Sequence, residues 1–130
     1  MDICTLGEMV VDLTPVGKSK NGNTIYEQNP GGAPANVACA AAKLNVDTAI
    51  ITMLGRDQFG ACLAETLKRC GVCMDGVKYC DERTGIAIIT LSETGDRSFV
   101  FYRNPCADQM LSEKDVSLEL IERCKIFHFS

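Results

Sequence analysis

The stretch NPGGAPANVA, residues 29–38, sets two glycines and a proline directly ahead of an alanine-rich run that continues through CAAAKL to residue 44. Pro34 suits a first helical turn, where its missing N–H would have no intrahelical partner, so a helix is expected to open near Ala33. Gly31 and Gly32 allow tight backbone geometry and close approach of a ligand. The free N–H groups and positive dipole end of such a helix favour an oxygen-rich or anionic group. Asn36, in the first turn, both donates and accepts hydrogen bonds, which suits a hydroxyl. The same glycines would also serve a turn that merely packs helix against strand, and this stretch alone leaves both readings open.

Outward from it, strand and helix signals alternate. DICTLGEMVVDL (2–13) reads as a strand with a polar break at Gly7-Glu8, and TAIITML (48–54) as a short buried strand of β-branched residues. FGACLAETLKRC (59–70) has helical spacing, with Asp57 as N-cap and Gly71 past its end. SEKDVSLELIERC (112–124) opens with Ser112 and Asp115 at capping-box spacing, which predicts an amphipathic helix, and KIFHFS (125–130) an apolar strand. This rhythm predicts an α/β layer with parallel strands. Two segments fall outside it: VGKSKNGNTIYEQN (16–29) and TGIAIITLSETGDRSFVFYR (84–103), the second a hairpin around ETGD. They predict a small separate β-layer flapping over the carboxyl ends of the core strands, where α/β sites usually lie.

Within these segments, period-two alternation puts Glu8, Val10 and Asp12 on one face of the first strand. Carboxylates there suit sugar hydroxyls, a metal ion or solvent, and the residues alone do not choose. In the hairpin, Phe99, Phe101 and Arg103 share a face, giving an aromatic surface beside a guanidinium that fits a polar organic ligand or ordinary flap packing.

Composition narrows the classes. The 130 residues, 46% of them hydrophobic and 23% charged, suit one modest globular domain. A net charge of −4 without clustered Lys and Arg argues against nucleic acid or an anionic membrane as partner. No apolar run approaches the ~20 residues of a bilayer span, and MDICTLGEMVVD lacks a basic leader, so a cytoplasmic location is expected. Eight cysteines then read as reduced thiols and small hydrophobes. Cys70 and Cys73 have C-x-x-C spacing with Cys80 nearby, which keeps a thiol or zinc module as an alternative, although no second pair stands at ribbon spacing. GKS at 17–19 ends like a phosphate loop, but Asp12 occupies the position of its first glycine. His128, between Phe127 and Phe129, reads as a strand histidine.

Taken together, GEMVVD (7–12), NPGGAPANVA, LGRDQFG (54–60) and FVFYRNPCAD (99–108) resemble the N-terminal half of a ribokinase-like (PfkB-type) carbohydrate kinase, nearest the fructokinases, over essentially the whole chain. The resemblance implies a Rossmann-like layered α/β fold, here partial, with a small β-sheet lid at about 12–30 and 84–103. It implies transfer of the γ-phosphoryl of ATP, with Mg²⁺, to a sugar hydroxyl, fructose to fructose 6-phosphate being the expected case. Asp12, Gly32 and Asn36 would hold sugar hydroxyls, Gly31 would complete the turn, and Phe101 and Arg103 would reach the sugar from the lid, with Glu8 an additional candidate. The family's Gly-Ala-Gly-Asp-like motif, which supplies an anion hole and the aspartate base, has no counterpart here. Residues 1–130 are therefore expected to be the sugar-side part of a single kinase domain, with the catalytic aspartate and ATP-binding half beyond Ser130, no metal site, and no activity alone. A homodimer through the lid is a further expectation, and a non-catalytic assembly or sugar-binding module is the alternative from another class.

Overall fold

The apolar run after Met1 is cut completely at its polar break. In the computed structural model, which describes all 130 residues, it forms β1 (Ile3–Leu6) and β2 (Val10–Lys18), and the two strands belong to different sheets. Gly7 is the cause: its φ is +148°, and a Cβ there would stand 2.7 Å from Pro34 Cγ and 2.5 Å from the Ser130 carbonyl. The chain continues through β3 (Thr24–Gly31), α1 (Ala33–Lys43), β4 (Thr48–Gly55), α2 (Gln58–Cys70), β5 (Val77–Cys80), β6 (Ile86–Leu91), β7 (Arg97–Tyr102), α3 (Leu118–Arg123) and β8 (Ile126–Phe129).

The first sheet has the order β5-β4-β1-β8 with every neighbour parallel. Its central β4 is buried at every position because it is covered on both faces. Ile50 and Leu54 pack with Ala38 of α1 and with Leu63 and Leu67 of α2. The alternate residues Ala49 and Ile51 pack with Cys4 and with Leu120 of α3. β8 forms one edge, and Ile126 and Phe129 on it are exposed. No helix is long and apolar enough to cross a membrane.

The second sheet is mixed, with the order β3-β2-β6-β7: β2 pairs antiparallel with β3 and parallel with β6, and β6 pairs antiparallel with β7. This sheet is the lid. Met9, just ahead of β2, and Val11 within it are rooted in the core of the parallel layer, so the lid grows out of that layer rather than hanging from a linker. A second tie is Asp57. Its Oδ1 accepts from Gly60 N at 2.8 Å and so caps α2, while its Oδ2 accepts from Thr84 N at 2.7 Å, two residues before β6.

One expectation needs correction, and one strand has no counterpart in the sequence reading. The helix read from Ser112 begins only at Leu118. The Ser112–Asp115 box is real, with Asp115 accepting from both the Ser112 N–H and hydroxyl, but it closes a short 3₁₀ turn. Val116 then turns extended (φ −79°, ψ 121°), and Ser117 caps the helix proper. β5 was not foreseen, since VKYC is too short to show an alternating pattern. The eight cysteines are all free; Cys70 ends α2, Cys80 ends β5, Cys73 bridges to Ala49, and no group of three or more His, Cys, Asp or Glu is arranged to hold a metal ion.

Candidate functional site

The site is built where β2 leaves the core. Gly31 and Gly32 form the corner between β3 and α1, and both are required by neighbours within the chain. At Gly31 a Cβ would lie 2.6 Å from Asp12 Cγ, so the glycine makes room for that carboxylate. At Gly32, φ +108°, a Cβ would meet the Glu8 carbonyl and stand 3.0 Å from Met9 Cα. The two glycines thus let β3 and α1 close on the chain crossing from layer to lid.

The α1 N-terminus already has an acceptor. Gly32, the N-cap residue, makes no side-chain cap, and Glu8 reaches across to accept from Ala33 N at 3.0 Å. A carboxylate thus takes the helix-end position at which an anionic ligand would be expected from local sequence.

Register sets Asp12 of β2 opposite Ala87 of β6, and Ala87 opposite Phe101 of β7, so the carboxylate and the ring lie on the same lid face. Phe101 stacks on Phe99 with centroids 6.1 Å apart and planes 12° from parallel, and the Arg103 Cζ stands 6.0 Å from the Phe101 centroid. Glu8, Asp12, Gly32, Asn36, Phe101 and Arg103 all line one cleft of about 380 Å³ between the lid and the start of α1. Of the sugar-site candidates named from the sequence, only Gly31 is not on its wall; it stands behind Asp12.

The charges in the cleft differ in state. Burial pushes the Asp12 carboxyl pKa up. Arg103 is ion-paired with Asp108, whose side chain is 3% exposed, and the hydrogen bond between them raises the guanidinium pKa further. Cys106 Sγ donates to Asp108 Oδ1 at 2.8 Å; burial pushes that thiol up to about 11, so it remains a protonated donor. Glu8 as a cap and Asp108 as a partner of Arg103 were not legible as such. The only sequence signal for Asp108 was an acid a few residues past Arg103 in FYRNPCAD, a spacing that matches neither strand nor helix period.

A larger cleft, about 570 Å³, involves the opposite parity of the lid strands through Leu13, Ile86, Ile88 and Tyr102; Phe101 and Arg103 border it as well, and no carboxylate lines it. The smaller cleft is the one where acids, an amide and a guanidinium converge.

Comparison with known proteins agrees with this architecture. A profile of the pfkB family carbohydrate kinase matches residues 1–130. Fructokinase-2 of Oryza sativa subsp. japonica is 43% identical over 130 residues, covering 98% of this chain and 39% of that protein. The crystal structure of fructokinase with bound ATP from Xylella fastidiosa matches with a TM-score of 0.91 at 34% identity, over 98% of this chain and 41% of that one. A putative ribokinase II in complex with ATP and Mg²⁺ from E. coli matches with a TM-score of 0.86 at 30% identity, over 98% and 42%. The chain spans about two fifths of the length of these relatives.

Proposed function

We propose, from the premise that this chain belongs to the pfkB family of carbohydrate kinases, that its cleft is the sugar-holding part of a fructokinase-type active site. The parent reaction is transfer of the ATP γ-phosphoryl to a hydroxyl of fructose, giving fructose 6-phosphate. The observation that carries the reading is the donor set of the cleft: Asp12 and Glu8 carboxylates, the Asn36 amide, and Arg103 already neutralised by Asp108, with the Phe101 ring beside them. Hydroxyls donate to carboxylates and accept from an amide or guanidinium, whereas a phosphate would face two acids. A neutral polyol fits and an anion does not.

ATP and Mg²⁺ are the cofactors of the parent reaction, but these residues do not fit them. The α1 N-terminus is filled by Glu8, and no cluster of metal-ligating side chains is formed. The family resemblance implies that the nucleotide site and the aspartate base lie outside residues 1–130, and no ATP-dependent turnover is accordingly expected from the chain alone. Its free thiols suit a reducing compartment such as the cytoplasm.

Titration of the purified chain with fructose, glucose, ribose and a sugar phosphate, followed by NMR shift changes of Asn36 and Phe101, tests the reading. Saturable fructose binding lost in Asp12→Ala is expected; no binding of any neutral sugar, or tighter binding of the phosphate, overturns it. Turnover of ATP by the chain alone, abolished by Asp12→Ala, would overturn the assigned division of labour.

A second reading is assembly through the lid. Phe99, Val100, Phe101 and Tyr102 are each at least half exposed along one lid strand, which suits a homodimer formed through this sheet. A sizing column coupled to light scattering decides it: a dimer that Val100→Lys converts to monomer supports this reading, and a monomer at all concentrations removes it.

A further inference from the structure

We propose that Asp108 is a positioning residue for the sugar cleft: it holds Arg103 at the seam between lid and parallel layer and so keeps the guanidinium from closing onto Asp12 and Glu8. The proposal deepens the sugar-site reading above and rests on it for the ligand.

Arg103 lies one residue beyond β7, an edge strand of the lid. Asp108 lies in the 3₁₀ turn Ala107–Met110, which packs on β4 and β5 of the parallel layer. That turn is anchored: Cys106 and Ala107 are each 1% exposed, and Ala107 N donates to the Arg83 carbonyl at 2.8 Å. The ion pair is therefore a cross-link between the two parts of the molecule. Both Asp108 oxygens are engaged, Oδ1 by the Cys106 thiol and Oδ2 by one terminal nitrogen of Arg103. A carboxylate buried this deeply, with one cation and one thiol, has its orientation fixed by them.

The cleft explains why such a clamp is needed. Arg103 shares it with two acids, Glu8 and Asp12, and its side chain is long and rich in rotamers. Unclamped, the guanidinium would pair with the nearer carboxylate and occupy the acceptor that a sugar hydroxyl requires. Clamped, it stays beside the Phe101 ring with one terminal nitrogen on Asp108, while its Nε–H is buried without a protein partner. Ordering the side chain before the ligand arrives removes that entropy cost from binding.

The test uses Asp108→Asn in the 130-residue chain, with the thermal midpoint as a check of folding and two readouts: fructose affinity, and the carboxyl titration of Asp12 followed by ¹³C NMR. The expected result is an affinity about tenfold weaker, the size of one lost charge-assisted hydrogen bond. With it comes an Asp12 titration displaced to lower pH as the freed guanidinium approaches; Asp108→Asn also unmasks the Arg103 charge, so the displacement must appear as well in Asp108→Glu, which keeps that charge. An unchanged Asp12 titration overturns the proposal, whatever happens to affinity. If the parent chain takes no fructose, the sugar-site reading fails by itself, and the Asp12 titration still decides the clamp. Should Asp108→Asn not fold, Asp108→Glu, which keeps the charge and moves it by one methylene, is read in the same two ways: weakened fructose affinity with a displaced Asp12 titration supports the clamp, and an unmoved Asp12 titration overturns it.

Discussion

β4, at the centre of the parallel layer, is buried from Thr48 to Gly55, whereas β7, at the rim of the lid, is exposed from Arg97 to Tyr102. Both are runs of β-forming residues: TAIITML reads as a buried strand from its β-branched residues, and RSFVFY, opened by Arg97 and Ser98, as part of the flap. The difference lies in what each sheet is packed between. β4 has helices on both faces, so its side chains supply stability. β7 has a single pairing neighbour, and its aromatic side chains flank a cleft and remain available to a ligand or another chain.

If that contrast is right, substitutions should separate stability from binding. The largest stability effect is expected from Leu54→Ala, which opens a cavity between β4 and the two helices; a loss of about 3 kcal/mol in denaturant unfolding is expected. A loss below 1 kcal/mol would mean that the layer is not the stable unit. Asp57→Ala comes next at about 2 kcal/mol, since it removes the α2 cap and the tie to Thr84 together. Burial works to raise the Asp57 pKa, but the Thr84 and Gly60 hydrogen bonds outweigh it and lower the value below the ordinary 3.8. The contribution linked to its charge is therefore present above 3.8 and lost as pH falls through the lower folded value. Unfolding curves of parent and variant measured from pH 7 to 2 should converge at the acid end.

Asp12→Asn should act in the opposite direction on stability. Burial raises the pKa of this carboxyl, so its charged form costs the fold some stability at neutral pH, a cost that disappears once the group is protonated in both states, below 3.8. The variant is expected to melt slightly higher than the parent at pH 7 while losing fructose affinity, and a lower melting point would contradict the burial argument. The smallest stability change is expected from Phe99→Ala on the lid, within about 0.5 kcal/mol. Its effect should be read instead as weaker sugar binding through the loss of the ring stacked on Phe101.

Much of this was legible in local sequence. The start of α1 at Ala33, the Asp57 cap and the Gly71 end of α2, and the hairpin between β6 and β7 all follow from residues a few positions apart. The third helix was misplaced because the Ser112–Asp115 box is equally compatible with a single 3₁₀ turn, and only the extended Val116 distinguishes the two. The residues of the candidate cleft were legible as a set, but how the fold brings them together was not. The glycines announced that something approaches the backbone, and the structure shows close neighbours within the chain: the Asp12 carboxylate and the Glu8–Met9 backbone.

The sequence by itself determined where the first two helices begin, where the second ends and which residue types the glycine corner and the hairpin carry, because capping, proline geometry and periodicity act over one or two turns of chain. Tertiary structure alone decided that one apolar run would supply strands to two sheets, that Glu8 would fill the helix end 25 residues away, and that Asp108 would hold Arg103 across the seam. Those contacts join separately folded elements through space, and no local period records them.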